Sequence, residues 1–250
     1  LGPLTAAADM YKGKKCIMIA PAFNELGKID EVAKKVPYDV IDKFLVVDDG
    51  STDDTIRACR AAGAEVLSHP RRMGVGASIR DGYELAIAED FDIAIVIAGN
   101  DKDDPKEVVR LLDPICGNDY DFVMGSRYLP GGAFGGDMPF YRVVATKYVH
   151  PWIVRLFTGR KVTETTNGYR AIKVSVLKDK RIDLRQRWLD DYQLEIYLLM
   201  RVLMLGFKSA EVPVSKIYPR RERGNTKMPP IIGWWKMLYP LFLIGLGLRK

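Results

Sequence analysis

Phe44-Leu45-Val46-Val47-Asp48-Asp49-Gly50-Ser51-Thr52-Asp53 is an apolar run that turns abruptly into carboxylates and small polar residues. The same change recurs three times. Cys16–Ala20 gives way to Pro21-Ala22-Phe23-Asn24-Glu25, and Ile93–Ala98 to Gly99-Asn100-Asp101-Lys102-Asp103-Asp104-Pro105. Phe122–Met124 gives way to Gly125-Ser126-Arg127-Tyr128. Short apolar runs bounded by turn residues read as buried strands. In an open α/β sheet, ligands bind beyond the carboxyl ends of the strands. Four such ends, rich in carboxylates and small residues and carrying one Arg, predict a metal-assisted site for a charged, phosphate-bearing ligand.

Between these runs lie helical patterns. Leu26, Ile29, Val32, Ala33 and Val36 share one helical face. Asp53 or Asp54 is placed to cap a helix running to about Ala62, Gly74–Ala88 reads as a helix, and Pro105 stands at a favoured first-turn position. Ala64–Leu67 and Lys208–Val212 add strands, and Asp191–Leu205 a helix. The alternation predicts a wound, mostly parallel sheet flanked by helices.

The chain of 250 residues is long enough for one large domain with an appendage. Its net charge of +6 suits an anionic lipid surface or a phosphorylated substrate, and no nucleic-acid partner is expected. Cys16, Cys59 and Cys116 are odd in number and read as reduced thiols. With only His69 and His150, a triad centred on histidine is not expected.

Pro130–Asp137 is a glycine-rich loop, and Phe140–Phe157 a helix carrying Tyr141, Tyr148, Trp152 and Phe157 beside Arg142, Lys147 and Arg155. Such a mixture fits a helix at a membrane surface or an amphipathic packing helix. Arg220, Arg221, Arg223 and Lys227 make a basic loop before the apolar tail Ile231–Leu248. Trp234, Trp235 and Tyr239 beside Lys236 are residues of the headgroup level. The tail reads as an interfacial helix or the start of a span, with a helix docked on its own domain as the alternative.

Chemistry is suggested at three places. Asp101 and Asp103, two apart on an extended loop, point the same way and can share Mg²⁺ or Mn²⁺. Asp48, Asp49 and Ser51 can hydrogen-bond a base or ribose. Arg72, with Arg71, precedes Gly74-Val75-Gly76, a helix start able to meet phosphate.

Taken together, Pro21-x-x-Asn24-Glu25, Val46–Asp53, Gly74-x-Gly76, Asp101-x-Asp103-x-Pro105, Gly125–Tyr128 and Gly131-Gly132 resemble the family 2 glycosyltransferases. The dolichyl-phosphate mannosyltransferase-like branch is the nearest in pattern. The resemblance implies a GT-A fold, Rossmann-like in its nucleotide-binding half, and sugar transfer from a nucleoside diphosphate with inversion. It assigns 12–227 to the catalytic domain and 228–250 to an apolar, membrane-associated tail. Pro21, Asn24, Glu25, Asp48, Asp49, Ser51, Arg72, Gly76, Asn100 and Asp101 would then hold the nucleotide sugar. Asp101 and Asp103 would hold the metal. Arg127, Arg142 and Lys227 would hold an acceptor phosphate. Asn167-Gly168-Tyr169-Arg170 would line the sugar site.

One departure stands out: the family's metal motif begins with Asp, and here that position is Gly99, followed by Asn100. The expected reaction is transfer of a hexose, mannose from GDP-mannose first, to a polyprenyl phosphate at the cytoplasmic face of a membrane. The alternative attacks with a sugar hydroxyl of a lipid-linked glycan and uses Asp190 or Asp191 as base. A third reading is a sugar-nucleotide-binding protein without turnover.

Overall fold

The computed structural model describes residues 10–136, 140–218 and 230–249. Three parallel strands, β1 (Cys16–Ala22), β2 (Lys43–Asp48) and β3 (Glu65–Ser68), alternate with α1 (Ile29–Lys35) and α2 (Thr55–Ala61). Then follow α3 (Val75–Ala88), β4 (Ile93–Val96), α4 (Val108–Asn118) and β5 (Phe122–Ser126). After the short β6 (Ala133–Gly135), the helices α5 (Phe140–Val144) and α6 (His150–Thr158) lead to β7 (Arg170–Lys173) and α7 (Val174–Leu177). The chain continues through α8 (Gln193–Met204), β8 (Ser209–Pro213), β9 (Ser215–Ile217) and α9 (Pro230–Gly245).

The main sheet runs in the order β3-β2-β1-β4-β7-β5-β8. Every pairing is parallel except those of β7, which is antiparallel to both β4 and β5. A separate parallel pair joins β6 to β9.

Period-two alternation explains the two cores. Ile17, Ile19, Leu45, Val47, Ala94 and Val96 face a core shared with α3, α6 and α8. Cys16, Met18, Ala20, Val46, Ile93 and Ile95 face the other, against Ile29 and Val32 of α1 and Leu111 and Leu112 of α4. Both faces are covered, so these strands are apolar throughout, as parallel strands usually are. The fold is therefore the mostly parallel, helix-flanked sheet that the sequence predicts.

Local chemistry sets several boundaries. The Asp53 carboxylate accepts the Thr55 N–H at 3.0 Å, so Asp53 satisfies the start of α2. The Asp104 carboxylate accepts from the Lys106 N–H at 3.1 Å, ahead of the 3₁₀ turn Pro105–Glu107. Leu26 departs from the expected face of α1: it is exposed, because Gly27 at φ +77 turns the chain before the helix begins. The aromatic helix of 140–158 forms as predicted but contains a π-helical stretch at Ala145–Val149. Pro151 lacks an N–H and crowds the carbonyl four residues back, which lies within that stretch.

The apolar tail is a helix that packs into the domain's own core. Leu241 and Ile244 of α9 are buried there, and the Phe157 and Phe242 rings meet edge to face at 5.8 Å. Gly245 lies so close to Phe157 that an added Cβ would overlap the ring. Sixteen residues at about 1.5 Å each fall short of the roughly 30 Å of a bilayer core. No helix among the described residues is long and apolar enough to cross a membrane. The expected boundary between 227 and 228 lies outside the described residues, as does the basic loop with Arg220, Arg221, Arg223 and Lys227.

Candidate active site

A cavity of about 470 Å³ opens beyond the carboxyl ends of β1 and β4. Pro21, Asn24 and Glu25 line it from the end of β1, and Gly99, Asn100 and Lys102 from the segment after β4. Arg127 follows β5, and Arg72 stands before α3. Arg142 of α5, Asp191 and Tyr192 ahead of α8, and Lys216 and Tyr218 at β9 close the far side. The volume is that of a small-molecule pocket.

Some of the expected nucleotide contacts instead build the walls. Asn24 and Ser51 bind each other's loops: the Asn24 N–H donates to Ser51 Oγ at 2.8 Å, and the Thr52 N–H to Asn24 Oδ1 at 2.8 Å. Asp49 accepts from the Met73 and Gly74 N–H groups and shares a 3.0 Å hydrogen bond with His69 Nδ1. It therefore fixes the loop that carries Arg72, and its side chain still borders the cavity. Asp48 lies below, fully buried, with Oδ2 on the Ser51 N–H and Oδ1 without a hydrogen-bond partner. Asn100 borders the cavity with a buried Oδ1 that likewise has none. Arg72 lies over the Phe23 ring at 4.6 Å.

Gly76 does not border the cavity. A Cβ at Gly74 or Gly76 would overlap the Asp190 or Leu189 carbonyl, and the Ala77 N–H donates to the Asp190 carbonyl at 3.0 Å. The start of α3, expected to meet phosphate, thus receives the chain's own carbonyls.

Arg127 is more deeply held than the sequence indicated. Its Nε meets the Glu164 carboxylate at 2.6 Å, and both side chains are buried. Nη1 donates to Tyr218 Oη at 3.0 Å and Nη2 to Thr166 Oγ1 at 3.3 Å. Burial opposes its charge, but Glu164, Tyr218 and Tyr128 hold its pKa above the ordinary value. Arg127 borders the cavity as the floor beneath Tyr218. Two further cations attend the same ring: Lys102 Nζ at 4.9 Å and the Arg142 guanidinium at 5.9 Å from its centroid. Burial pushes the Lys102 ammonium down to about 8, and Lys216 and Arg142 push the same way.

The two carboxylates expected to share a metal are each held by a lysine. Asp101 adopts φ +55 and gives its carboxylate to Lys35 at 2.7 Å. Asp103 is buried, with both oxygens 2.7 Å from Lys216 Nζ, and its backbone bridges Lys216. The loop is not extended through Asp101, so the spacing that would align the pair is lost. Neither carboxylate borders the cavity, and the described residues contain no cluster of three or more acidic, His or Cys groups able to hold a metal. With Asp101 held by Lys35 and Asp103 by Lys216, the donor set as it stands does not fit a shared divalent cation.

Asp190 turns away to Arg80, at 2.6 Å, and is not part of the cavity wall. Asp191 borders the cavity with its carboxylate on Lys236 of α9 at 2.7 Å. Arg170, fully buried, donates to the Asn167 and Glu195 carbonyls and braces the cavity wall. Glu164, Lys216 and Tyr218 were not singled out in the sequence. Each is isolated there, and only β9 and the 164–166 turn bring them to Arg127 and Lys102.

A mostly parallel sheet with a cation-lined cavity at its carboxyl edge is the arrangement in which open α/β proteins take up their ligands. Residues 18–180 match the model of glycosyl transferase family 2, and the chain belongs to that family. The polyprenol monophosphomannose synthase of Mycolicibacterium smegmatis is 28% identical over 228 residues, covering 88% of this chain and 83% of that protein. A UDP-N-acetylglucosamine–dolichyl-phosphate N-acetylglucosaminyltransferase of Methanococcus voltae is 27% identical, covering 94% of this chain and 97% of that protein. Among solved structures, glucosyl-3-phosphoglycerate synthase of Mycobacterium tuberculosis with Mn²⁺, UDP-glucose and phosphoglyceric acid superposes with a TM-score of 0.68. That match covers 95% of this chain and 82% of that one at 21% identity, and it establishes the GT-A fold.

Proposed function

We propose that this chain transfers a hexose, with inversion, from a nucleoside diphosphate to a polyprenyl phosphate at a membrane surface. The observation that carries the reading is the gathering of Lys102, Arg127 and Arg142 around Tyr218 in the cavity. Such a concentration of cations suits two phosphorylated ligands meeting there. The two relatives named above differ in donor sugar, yet both are named for a polyprenyl or dolichyl phosphate. The acceptor class is therefore the steadier inference, and GDP-mannose is the first donor to test.

In the reaction, an acceptor phosphate oxygen attacks the anomeric carbon. The bond from that carbon to the diphosphate oxygen breaks, and its electron pair leaves with the nucleoside diphosphate. A phosphate is already anionic, so no strong base is needed. The ion pairs of Asp190 with Arg80 and Asp191 with Lys236 are compatible with this route. Arg142, on the cavity wall, is suited to grip the acceptor phosphate, and Arg127 to hold Tyr218 and the 164–166 turn beneath it. Mn²⁺ accompanies UDP-glucose in the mycobacterial synthase. Here the carboxylates that would receive such an ion are engaged by lysines.

Membrane association belongs to the same reading. Phe140, Tyr148, Trp152 and Leu156 along α5–α6, Trp235 and Phe242 on α9, and Leu246 just after it are exposed. The cytoplasmic face is proposed with it, as the side where nucleotide sugars are available. The test is transfer from radiolabelled GDP-mannose, with UDP-glucose and UDP-N-acetylglucosamine in parallel, to detergent-dispersed dolichyl phosphate. Label in the lipid phase is the expected result. A bound donor that never labels the lipid would remove the lipid-phosphate acceptor.

A further inference from the structure

We propose that Lys102 supplies the positive charge that a divalent cation supplies in metal-using relatives of the fold, so that the donor's diphosphate is bound without a metal. This rests on the reading above that the donor is a nucleoside diphosphate sugar.

Three observations converge. The first is at Gly99, where the resemblance expects the metal motif's leading Asp. A Cβ there would lie 2.8 Å from the Pro21 carbonyl oxygen and 3.1 Å from Ile29 Cδ1. The backbone has closed over the space that an acidic side chain would enter. The second is the fate of the remaining acids. Asp101 is turned to Lys35, and Asp103 is clamped through both oxygens by Lys216 in the protein interior. Freeing Asp103 for a metal would leave the buried Lys216 ammonium without its carboxylate, a costly exchange.

The third is Lys102 itself. It stands between the two displaced carboxylates in sequence, but it borders the cavity where they do not. Its backbone carbonyl accepts the Ile217 N–H at 2.8 Å, which ties this segment to β9 and holds Lys102 beside Tyr218. Arg142 shares the ring, Arg127 donates to its hydroxyl, and Lys216 lies close enough to disfavour the Lys102 charge. Like charges gathered in a partly desolvated site repel each other, and a polyanion in their midst relieves that repulsion. Glu25 is a nearby carboxylate that partly offsets it. With burial lowering its pKa to about 8, Lys102 remains mostly protonated at neutral pH. A fixed ammonium at this point neutralises charge on the departing diphosphate as a metal would, with the geometry set in advance.

The test is calorimetric titration of GDP, and of UDP in parallel, into the full chain, in EDTA and in Mn²⁺. Guanosine and uridine serve as phosphate-free controls. The wild-type chain should bind the diphosphate in EDTA within about threefold of its affinity in Mn²⁺. Lys102→Met should weaken diphosphate binding by about 30-fold or more and leave the nucleoside unchanged, and Lys102→Arg should retain most of the affinity. Diphosphate binding that requires Mn²⁺ overturns this inference and leaves the glycosyltransferase reading standing. Wild-type affinity in Lys102→Met overturns it equally. Absence of any diphosphate binding, with or without Mn²⁺, overturns both together. The EDTA arm on the wild-type chain decides the question even if Lys102→Met does not fold.

Discussion

Arg127 shows how far a residue's type predicts its partner. Gly125-Ser126-Arg127-Tyr128 marked it in the sequence as a phosphate clamp, and it does border the cavity. Its first partner, however, is Glu164, which has no recognisable motif: a lone acid in Thr163-Glu164-Thr165-Thr166. The pairing depends on a turn meeting the end of β5 nearly forty residues away in sequence, and no local pattern announces it. The same holds for Lys216, whose buried carboxylate partner Asp103 is 113 positions earlier. A buried pair predicts a specific stability effect. Arg127→Met leaves Glu164 buried without a counter-charge and should destabilise the fold by about 3–5 kcal/mol. Adding Glu164→Gln should recover a large part of the loss. Urea unfolding of the two variants and the wild type measures this. Equal stability of the single and double variants would show that the pair is not coupled.

At the scale of elements, the central parallel strands β1, β2, β4 and β5 were legible because burial on both faces makes them nearly continuous apolar runs. β7 was not. It offers only Ala171 and Ile172 between Arg170 and Lys173, and its antiparallel insertion between β4 and β5 has no sequence signature. β6 and β9, three residues each, are too short to show a period. The Gly74-x-Gly76 pattern was visible but its use was not. It reads as a phosphate-binding helix start, and instead it admits the Leu189 and Asp190 carbonyls onto α3. That contact seats the segment bearing Asp191 and Tyr192 against the cavity. Gly76→Ala should therefore force two backbones apart and cost about 2–4 kcal/mol, with weaker donor binding through displacement of Asp191 and Tyr192. Denaturant midpoints and nucleotide titration together test it. An Ala variant with wild-type midpoint and affinity would contradict the close approach.

The whole molecule carries two properties that no single element sets. One is pH dependence. Burial pushes His150, at the start of α6, down to about 4, against a raising influence from Glu164. Between about pH 4 and 6.5 the unfolded chain binds a proton that the folded chain refuses. Stability from this group is therefore full above 6.5 and is lost as pH falls toward 4, by up to about 3 kcal/mol. His150→Gln should flatten the slope of unfolding free energy in that window relative to wild type, and an unchanged slope would refute it.

The other property is the apolar surface. α6 and α9 touch through Phe157 and Phe242, and both present large apolar side chains to solvent: Trp152 and Leu156 on one, Trp235 and Phe242 on the other. Lys147 and Arg155 are exposed on the same helical stretch as Trp152. Soluble monomers seldom leave so many large apolar groups uncovered. Aromatic residues interleaved with basic ones suit the interface of an anionic bilayer. The helix bearing Arg142 is continuous with α6, so a membrane contact on this side would bring a lipid phosphate near the cavity. Trp152→Glu with Leu156→Glu should lower binding to phosphatidylserine-containing vesicles by about tenfold or more. Transfer to a short-chain, freely soluble prenyl phosphate should stay near wild type, because neither residue borders the cavity. Wild-type vesicle binding by the double variant would assign these side chains to some other surface, and equal loss with both acceptors would place the damage in the fold instead of at the membrane.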